Sequence, residues 1–161
     1  MCPGDVRLLD GAYGLRHPSK FTLYLEEQQE GKRSVLVAFT DARAVGFVTV
    51  GWQSLYPPFQ ENGIPEIVDL DVLAEFRRRG AGSALMNDAE RLITTRASVA
   101  GIGVGLHSGY GAAQRMYAKR GYVPDGWGLW LNDHYVGDGE HISVGDEAIL
   151  YLVKDLSRLP P

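Results

Sequence analysis

Apolar residues recur along this chain in two rhythms. Val6 to Leu9 reads as a short strand. From Phe21 the spacing i, i+3, i+4, i+7 takes in Tyr24, Leu25 and Gln28, which predicts a helix begun at Pro18-Ser19 and ended by Gly31. Ser34 to Thr40 and Val45 to Trp52 are β-rich runs, and the short turn Asp41-Ala42-Arg43 between them predicts a hairpin. Ile64 to Val72 alternates, with Glu66, Val68, Leu70 and Val72 on one face and Ile67, Asp69 and Asp71 on the other. Leu85, Met86, Ala89, Leu92 and Ile93 stripe one side of a helix. Val99 to Leu106 alternates Ile102, Val104 and Leu106 with glycines, as a strand does. Ala113, Met116 and Tyr117 mark a second helix from about Gly111 to Arg120, with Gly121 placed to cap it. Trp127 to Leu131 and Ala148 to Lys154 read as two last strands around an acidic connection.

The order is a helix, several strands, then β-α-β-α-β-β, which predicts a mixed α/β domain around one sheet. With 161 residues, 45% of them apolar, the chain is long enough for a single domain, 1–161, with a full core. A formal net charge of −4 sets general nucleic-acid binding behind other classes, because such binders carry a basic face. The one cysteine, Cys2, excludes a disulfide within the chain, and no C-x-x-C metal motif occurs. Neither a leader-like start nor an apolar stretch of about 20 residues is present, so the expectation is a soluble cytoplasmic protein without a membrane partner.

Candidate chemistry begins at FRRRGAGSAL, Phe76 to Leu85. A strand runs into this turn and a helix leaves it, so Arg78 to Ser83 sit at a helix N-terminus, where backbone N–H groups lack partners. Gly80 and Gly82 let a backbone nest approach an anion closely, and arginines pair with phosphate oxygens. The spelling excludes two common phosphate motifs. No GK[ST] occurs anywhere, and Leu85 stands where a dinucleotide fingerprint needs its third glycine or alanine. The second G-x-G, at Gly101 to Gly105, falls inside a strand and reads as close backbone packing.

Arg77, Gly80 and Gly82 spell R-x-x-G-x-G after a strand ending Leu70-Asp71-Val72. Further on, AAQRMYAKRGY keeps Ala113, Tyr117, Gly121 and Tyr122 at the spacing of A-x-x-x-Y-x-x-x-G-[FY]. On these two motifs, in order and on the right elements, the chain resembles the GNAT superfamily of N-acetyltransferases from about Val35 to Lys154. Two positions depart from the pattern: Ala74 replaces a frequent proline, and Tyr110 the usual asparagine. The resemblance implies a GNAT fold, a mixed sheet of six to seven strands flanked by helices and splayed between residues 64–72 and 99–106. It implies acetyl-CoA as co-substrate and no metal. Arg77, Arg78, Arg79, Gly80, Ala81, Gly82 and Ser83 would then hold the diphosphate and ribose phosphate. The backbone of Leu70, Asp71 and Val72 would pair with the pantetheine arm like an added strand, with Tyr110 and Ala113 beside it.

Acetyl transfer to an amine poses two proton problems. A lysine-like amine, pKa about 10.4, is almost wholly protonated near pH 7, so a base is needed; the departing thiolate needs an acid. Glu66 is the favoured base, at the spacing before Gly80 that the histone-acetyltransferase branch uses, with a strand-end glutamate facing water as the competing reading. Asp69 and Asp71 rank lower. Tyr117 is the acid that the motif implies, against a core tyrosine, and His107 and Ser108 are reserves. For the acceptor, candidate walls are Trp52 to Phe59 and the connection Asn132 to Glu147. Its carboxylates Asp133, Asp138, Glu140, Asp146 and Glu147, and the rings of Tyr56, Phe59 and Tyr135, suit a cationic amine. The expectation is acetylation of a small primary amine in a ternary complex by a monomer or homodimer. Acetylation of a protein or peptide, and acyl-CoA sensing without catalysis, are the alternatives.

Overall fold

The computed structural model describes residues 1–13, 19–41 and 43–157. Its elements, in chain order, are α1 (Pro3–Tyr13), α2 (Lys20–Gln29), β1 (Arg33–Thr40), β2 (Arg43–Gly51), α3 (Pro57–Glu61), β3 (Glu66–Val72), α4 (Ala81–Thr94), β4 (Val99–Gly105), α5 (Gly111–Lys119), β5 (Val123–Leu131), β6 (His134–Tyr135) and β7 (Ala148–Asp155). The strands form one sheet in the order β1-β2-β3-β4-β7-β5-β6. Only β3 and β4 run parallel, and they pair at just two positions, Glu66 with Gly101 and Ile67 with Ile102. Beyond these the strands part, so the expected splay lies where the sequence puts it.

The two faces of the sheet carry different helices. On one, α4 and α5 bury Leu85, Met86, Ala89, Ile93 and Tyr117 against Val48, Val50, Ile67, Ile102 and Leu152. On the other, α1 and α2 bury Leu9, Tyr13, Phe21 and Tyr24 against Val35 and Phe47. The turn of α5 into β5 uses Gly121 at φ 85°, and the Tyr122 N–H reaches back to the Tyr117 carbonyl, so the predicted glycine cap is present.

Three sequence expectations need correction. Val6 to Leu9 is not a strand but part of α1. Val6, Leu9 and Tyr13 fall at i, i+3 and i+7, and this stripe seals the α1–α2 face. Pro18 and Ala42, in the predicted helix start and hairpin turn, lie outside the described residues. The loop from Gln53 to Gly63 carries helix α3, and Tyr56 and Phe59 are buried in it at 2% and 1% exposure, which makes them core residues.

The third correction concerns faces. Strand β3 does not alternate throughout, because Asp69 has φ 56° and the pairing with β2 slips by one residue there, Thr49 facing Val68 but Phe47 facing Asp71. Such a bulge moves every later side chain to the opposite face. Glu66 therefore does not share a face with Leu70 and Val72. Leu70 and Val72 pack with Ile67 toward α4, while Asp69 turns toward α2, where the Tyr24 hydroxyl and the Lys20 ammonium hold its carboxylate.

Candidate active site

The parting of β3 and β4 opens a cavity of about 430 Å³. Glu66, Asp69, Leu70 and Asp71 line one wall, and Ile102 to Gly105 the other; Tyr110, Ala113 and Tyr117 of the α5 region look in from one side, Lys20 and Phe47 from another, and Asp146, Ile149 and Tyr151 close it. Of the residues singled out in the sequence, Glu66, Leu70, Asp71, Tyr110, Ala113 and Tyr117 thus meet around one space.

Glu66 takes a 2.5 Å hydrogen bond from the Ser54 hydroxyl on Oε2. Burial raises its pKa above the usual carboxylate range; the Ser54 bond and the Arg33 charge pull it back, and Asp69 pushes it up again. A carboxyl raised in this way is suited to taking a proton near neutral pH. Tyr117 is 6% exposed, and burial drives its pKa up to about 12, so the phenol keeps its proton at neutral pH. Among the described residues no hydrogen bond occupies the Tyr117 hydroxyl, which leaves it available to a ligand.

The arginine-glycine turn joins the far end of β3 to α4. The first helical bond of α4 runs from the Ala84 N–H to the Gly80 carbonyl, so the N–H groups of Ala81, Gly82 and Ser83 have no acceptor within the helix. Arg78 and Gly80 both take positive φ, 60° and 94°, which curls the backbone into a concave turn before them. A Cβ placed at Gly80 would meet nothing within 4 Å among the described residues. Arg79 lies over the Phe76 ring at 5.7 Å and borders a groove with β1. Ser83 borders another, with Arg115, Lys119 and Arg120. Arg77 is different from its neighbours. Its Nε donates to the Val72 carbonyl at 2.7 Å and its guanidinium meets Asp71 at 3.2 Å, so it straps the turn to the strand end. Val72 itself is buried beneath α4 rather than in the cavity.

The proposed acceptor walls fare unevenly. Tyr56 and Phe59 are sealed in the core, and Trp52 packs against Arg96 and donates to Ser34. Tyr135 stacks on Trp127, and Glu140 pairs with His134 at 3.0 Å. Of the connection 132–147 only Asp146 lines the cavity. Its Oδ1 is held by His107 Nε2 at 2.9 Å and the Tyr110 hydroxyl at 3.1 Å. Because His107 Nδ1 accepts from the Gly109 N–H, its Nε2 carries the proton it gives to Asp146. His107 and Tyr110 thereby hold Asp146 of the acidic connection at the cavity wall, and Ser108 only begins the turn into α5. Lys20, Phe47, Ile149 and Tyr151 were not foreseen. For Lys20 a signal existed, since it precedes the Phe21–Tyr24 stripe by one.

The chain matches the profile of the acetyltransferase (GNAT) family over residues 6–122. It is 36% identical over 118 residues to an uncharacterised N-acetyltransferase of Archaeoglobus fulgidus, covering 70% of this chain and 75% of that protein. Among solved structures it superposes on a GNAT-family protein from Desulfovibrio desulfuricans with a TM-score of 0.70 at 12% identity, covering 97% of this chain and 95% of that one. The TM-score is 0.65 at 18% identity, over 97% and 91% of the two chains, with an aminoglycoside 6'-N-acetyltransferase complexed with coenzyme A. It is 0.62 at 19% identity, over 86% and 78%, with a ribosomal-protein-alanine N-acetyltransferase from Brucella melitensis. These structural likenesses carry the fold. The profile match and the archaeal relative carry the family: this chain is an N-acetyltransferase of the GNAT family.

Proposed function

We propose that this enzyme moves the acetyl group of acetyl-CoA directly to the primary amine of a small molecule, with both substrates held together in the cavity between β3 and β4. The observation that carries the reading is that Glu66 and Tyr117, from separate elements, line the same cavity, Glu66 with one oxygen held by Ser54. The single seven-stranded sheet supports reading residues 1–161 as one acetyltransferase domain.

The residues fit acetyl-CoA as its family uses it. The N–H groups of Ala81, Gly82 and Ser83, with Arg78 and Arg79, suit a diphosphate. Arg77 acts as the strap that keeps this turn in place, with Gly80 as its hinge. Beyond Ile67, β3 has no ladder partner on its β4 side, so Leu70, Asp71 and Val72 offer an edge to the pantetheine amides, with Tyr110 and Ala113 across the gap. When bound, the thioester supplies the activated acetyl group.

Glu66 takes the proton of the incoming ammonium, which leaves a nitrogen lone pair free to attack. Tyr117 donates a hydrogen bond from its hydroxyl to the departing sulfur and keeps its proton, because a thiolate whose conjugate acid lies near 8.5 is a weaker base than the phenolate; the thiolate is protonated by the second proton that the acylated nitrogen releases. A cavity of about 430 Å³ suits a small molecule better than a protein segment. The carboxylates of Asp69 and Asp146 on its walls suit a cation.

Release of free thiol from acetyl-CoA in the presence of amines tests this. Wild type is expected to turn over. Glu66→Gln and Tyr117→Phe are each expected to lose about a hundredfold in kcat while binding acetyl-CoA unchanged. Full activity in both variants would contradict the assignment.

A further inference from the structure

Strand β4 turns the glycine pattern Gly101, Gly103 and Gly105 toward a row of aromatic rings. A Cβ at Gly101 would stand 2.2 Å from the Phe59 ring, and one at Gly105 would stand 2.4 Å from that of Tyr110. At Gly103 it would come within 2.9 Å of Ile149 and 3.2 Å of the Tyr151 ring. Tyr151 faces Gly103 across the β4–β7 ladder. Its other face stacks on Tyr56, centroids 3.6 Å apart and planes 7° from parallel, and Phe59 meets it edge-on at 5.3 Å. The ring is therefore fixed before any ligand arrives.

Its hydroxyl is the unexplained part. Tyr151 is 8% exposed, and a phenol buried to that degree ordinarily finds a hydrogen-bond partner. Among the described residues it makes no hydrogen bond. Nor is the oxygen sealed off: the hydroxyl that is both sealed and unpartnered is that of Tyr122. An unpartnered oxygen that is not sealed is open to a partner, and Tyr151 lines the cavity of Glu66. Glu66, Asp133 and Asp125 all direct negative charge at this hydroxyl.

We propose that Tyr151 is an acceptor-binding residue, its hydroxyl oxygen taking a hydrogen bond from an N–H of the primary amine held beside Glu66. The assignment rests on the acetyltransferase reading of the cavity. An ammonium that yields one proton to Glu66 keeps two N–H groups, and its lone pair is committed to the acetyl carbon. Asp69 and Asp146 of the same cavity already accept from Lys20, Tyr24, His107 and Tyr110, and Phe47 and Ile149 can accept neither bond. The phenol oxygen can, and because packing already holds its ring, little ordering is lost on binding.

The variant Tyr151→Phe keeps the ring and its stack and removes the oxygen alone. Butylamine, tyramine and lysine would each be titrated calorimetrically into coenzyme A-saturated wild type and variant, with steady-state kinetics in parallel. The expected result is binding of at least one amine to wild type. In the variant its Kd and KM rise about tenfold, while the KM for acetyl-CoA and the melting temperature hold. A merely structural role would move the melting temperature and both KM values together. Equal amine affinity in the two proteins overturns the assignment, and so does wild type that binds none of the three. If acetyl-CoA itself fails to bind, the proposed function falls with it; if acetyl-CoA binds and only the amine effect is missing, the Tyr151 assignment alone falls.

Discussion

Glu66 carries two opposite consequences of one titration. Burial holds its carboxyl above the ordinary range, while Ser54 and Arg33 oppose this and Asp69 adds to it. The native state therefore binds this proton more tightly than the unfolded chain does. Its contribution to stability is present in full below the ordinary carboxyl pKa and is lost as pH rises through the raised native value. In the proposed mechanism the same ionisation arms the base. We expect wild-type kcat/KM to climb across that pH interval while the stability of wild type relative to Glu66→Gln declines. Parallel rate and urea-unfolding profiles would show both, and a rate limb that survives in Glu66→Gln would assign the base elsewhere. The sequence singles out Glu66 and Tyr117 because each stands at a motif spacing, and the fold brings both to one cavity. The face of Glu66 was not legible, since a one-residue bulge at Asp69 leaves no mark in an alternating pattern. Tyr151 was hidden for another reason: its importance lies in which rings and glycines surround it, and those come from α3 and β4.

At the scale of elements, the strand G-I-G-V-G was readable as backbone packed closely, but not what packs there. Phe59 fills the place of a side chain at Gly101, and it is itself enclosed by Tyr56 and Tyr151. It cannot swing aside. Gly101→Ala is expected to cost about 1–3 kcal/mol by overpacking and to lower the melting temperature by several degrees. Gly145→Ala, where a Cβ meets nothing within 4 Å, serves as the comparison and should leave it unchanged. An equal melting temperature in the two variants would mean that α3 is not anchored on β4. The misreading of α1 has a related lesson. Four residues, Val6 to Leu9, satisfy a strand as easily as a helix, and only Tyr13, seven on from Val6, decides between them.

Across the whole molecule, one buried cluster ties the layers together. Glu90 of α4 is 2% exposed and receives Arg120, just past α5, at 2.9 and 2.8 Å, and Lys154 of β7 at 2.8 Å. These partners lie 30 and 64 residues away, so a reading of α4 alone places Glu90 in water. Burial by itself would raise the Glu90 pKa, but the two cations outweigh it and hold the carboxyl below its usual range. Its contribution is thus present above the ordinary carboxyl pKa and is lost as pH falls through the depressed native value. Glu90→Gln leaves both cations uncompensated and should cost about 3 kcal/mol at pH 7, less in acid, by urea unfolding. The exposed pair of Arg43 with Glu75 makes the control, since Glu75→Gln should cost little. Equal costs would remove Glu90 from its structural role.

The proposed reaction depends on the turn that joins β3 to α4 receiving acetyl-CoA. Calorimetric titration of acetyl-CoA, with NAD as comparator, into wild type and Gly82→Asp tests this most directly. A Cβ at Gly82 makes an ordinary contact with Val72 Cγ2, at 3.8 Å, and a carboxylate in the first turn of a helix favours folding. It opposes a diphosphate. Micromolar binding of acetyl-CoA and not NAD by wild type, weakened at least about tenfold in a folded Gly82→Asp, is the predicted result. Wild type that ignores acetyl-CoA, or a variant that binds it equally well, would contradict the account.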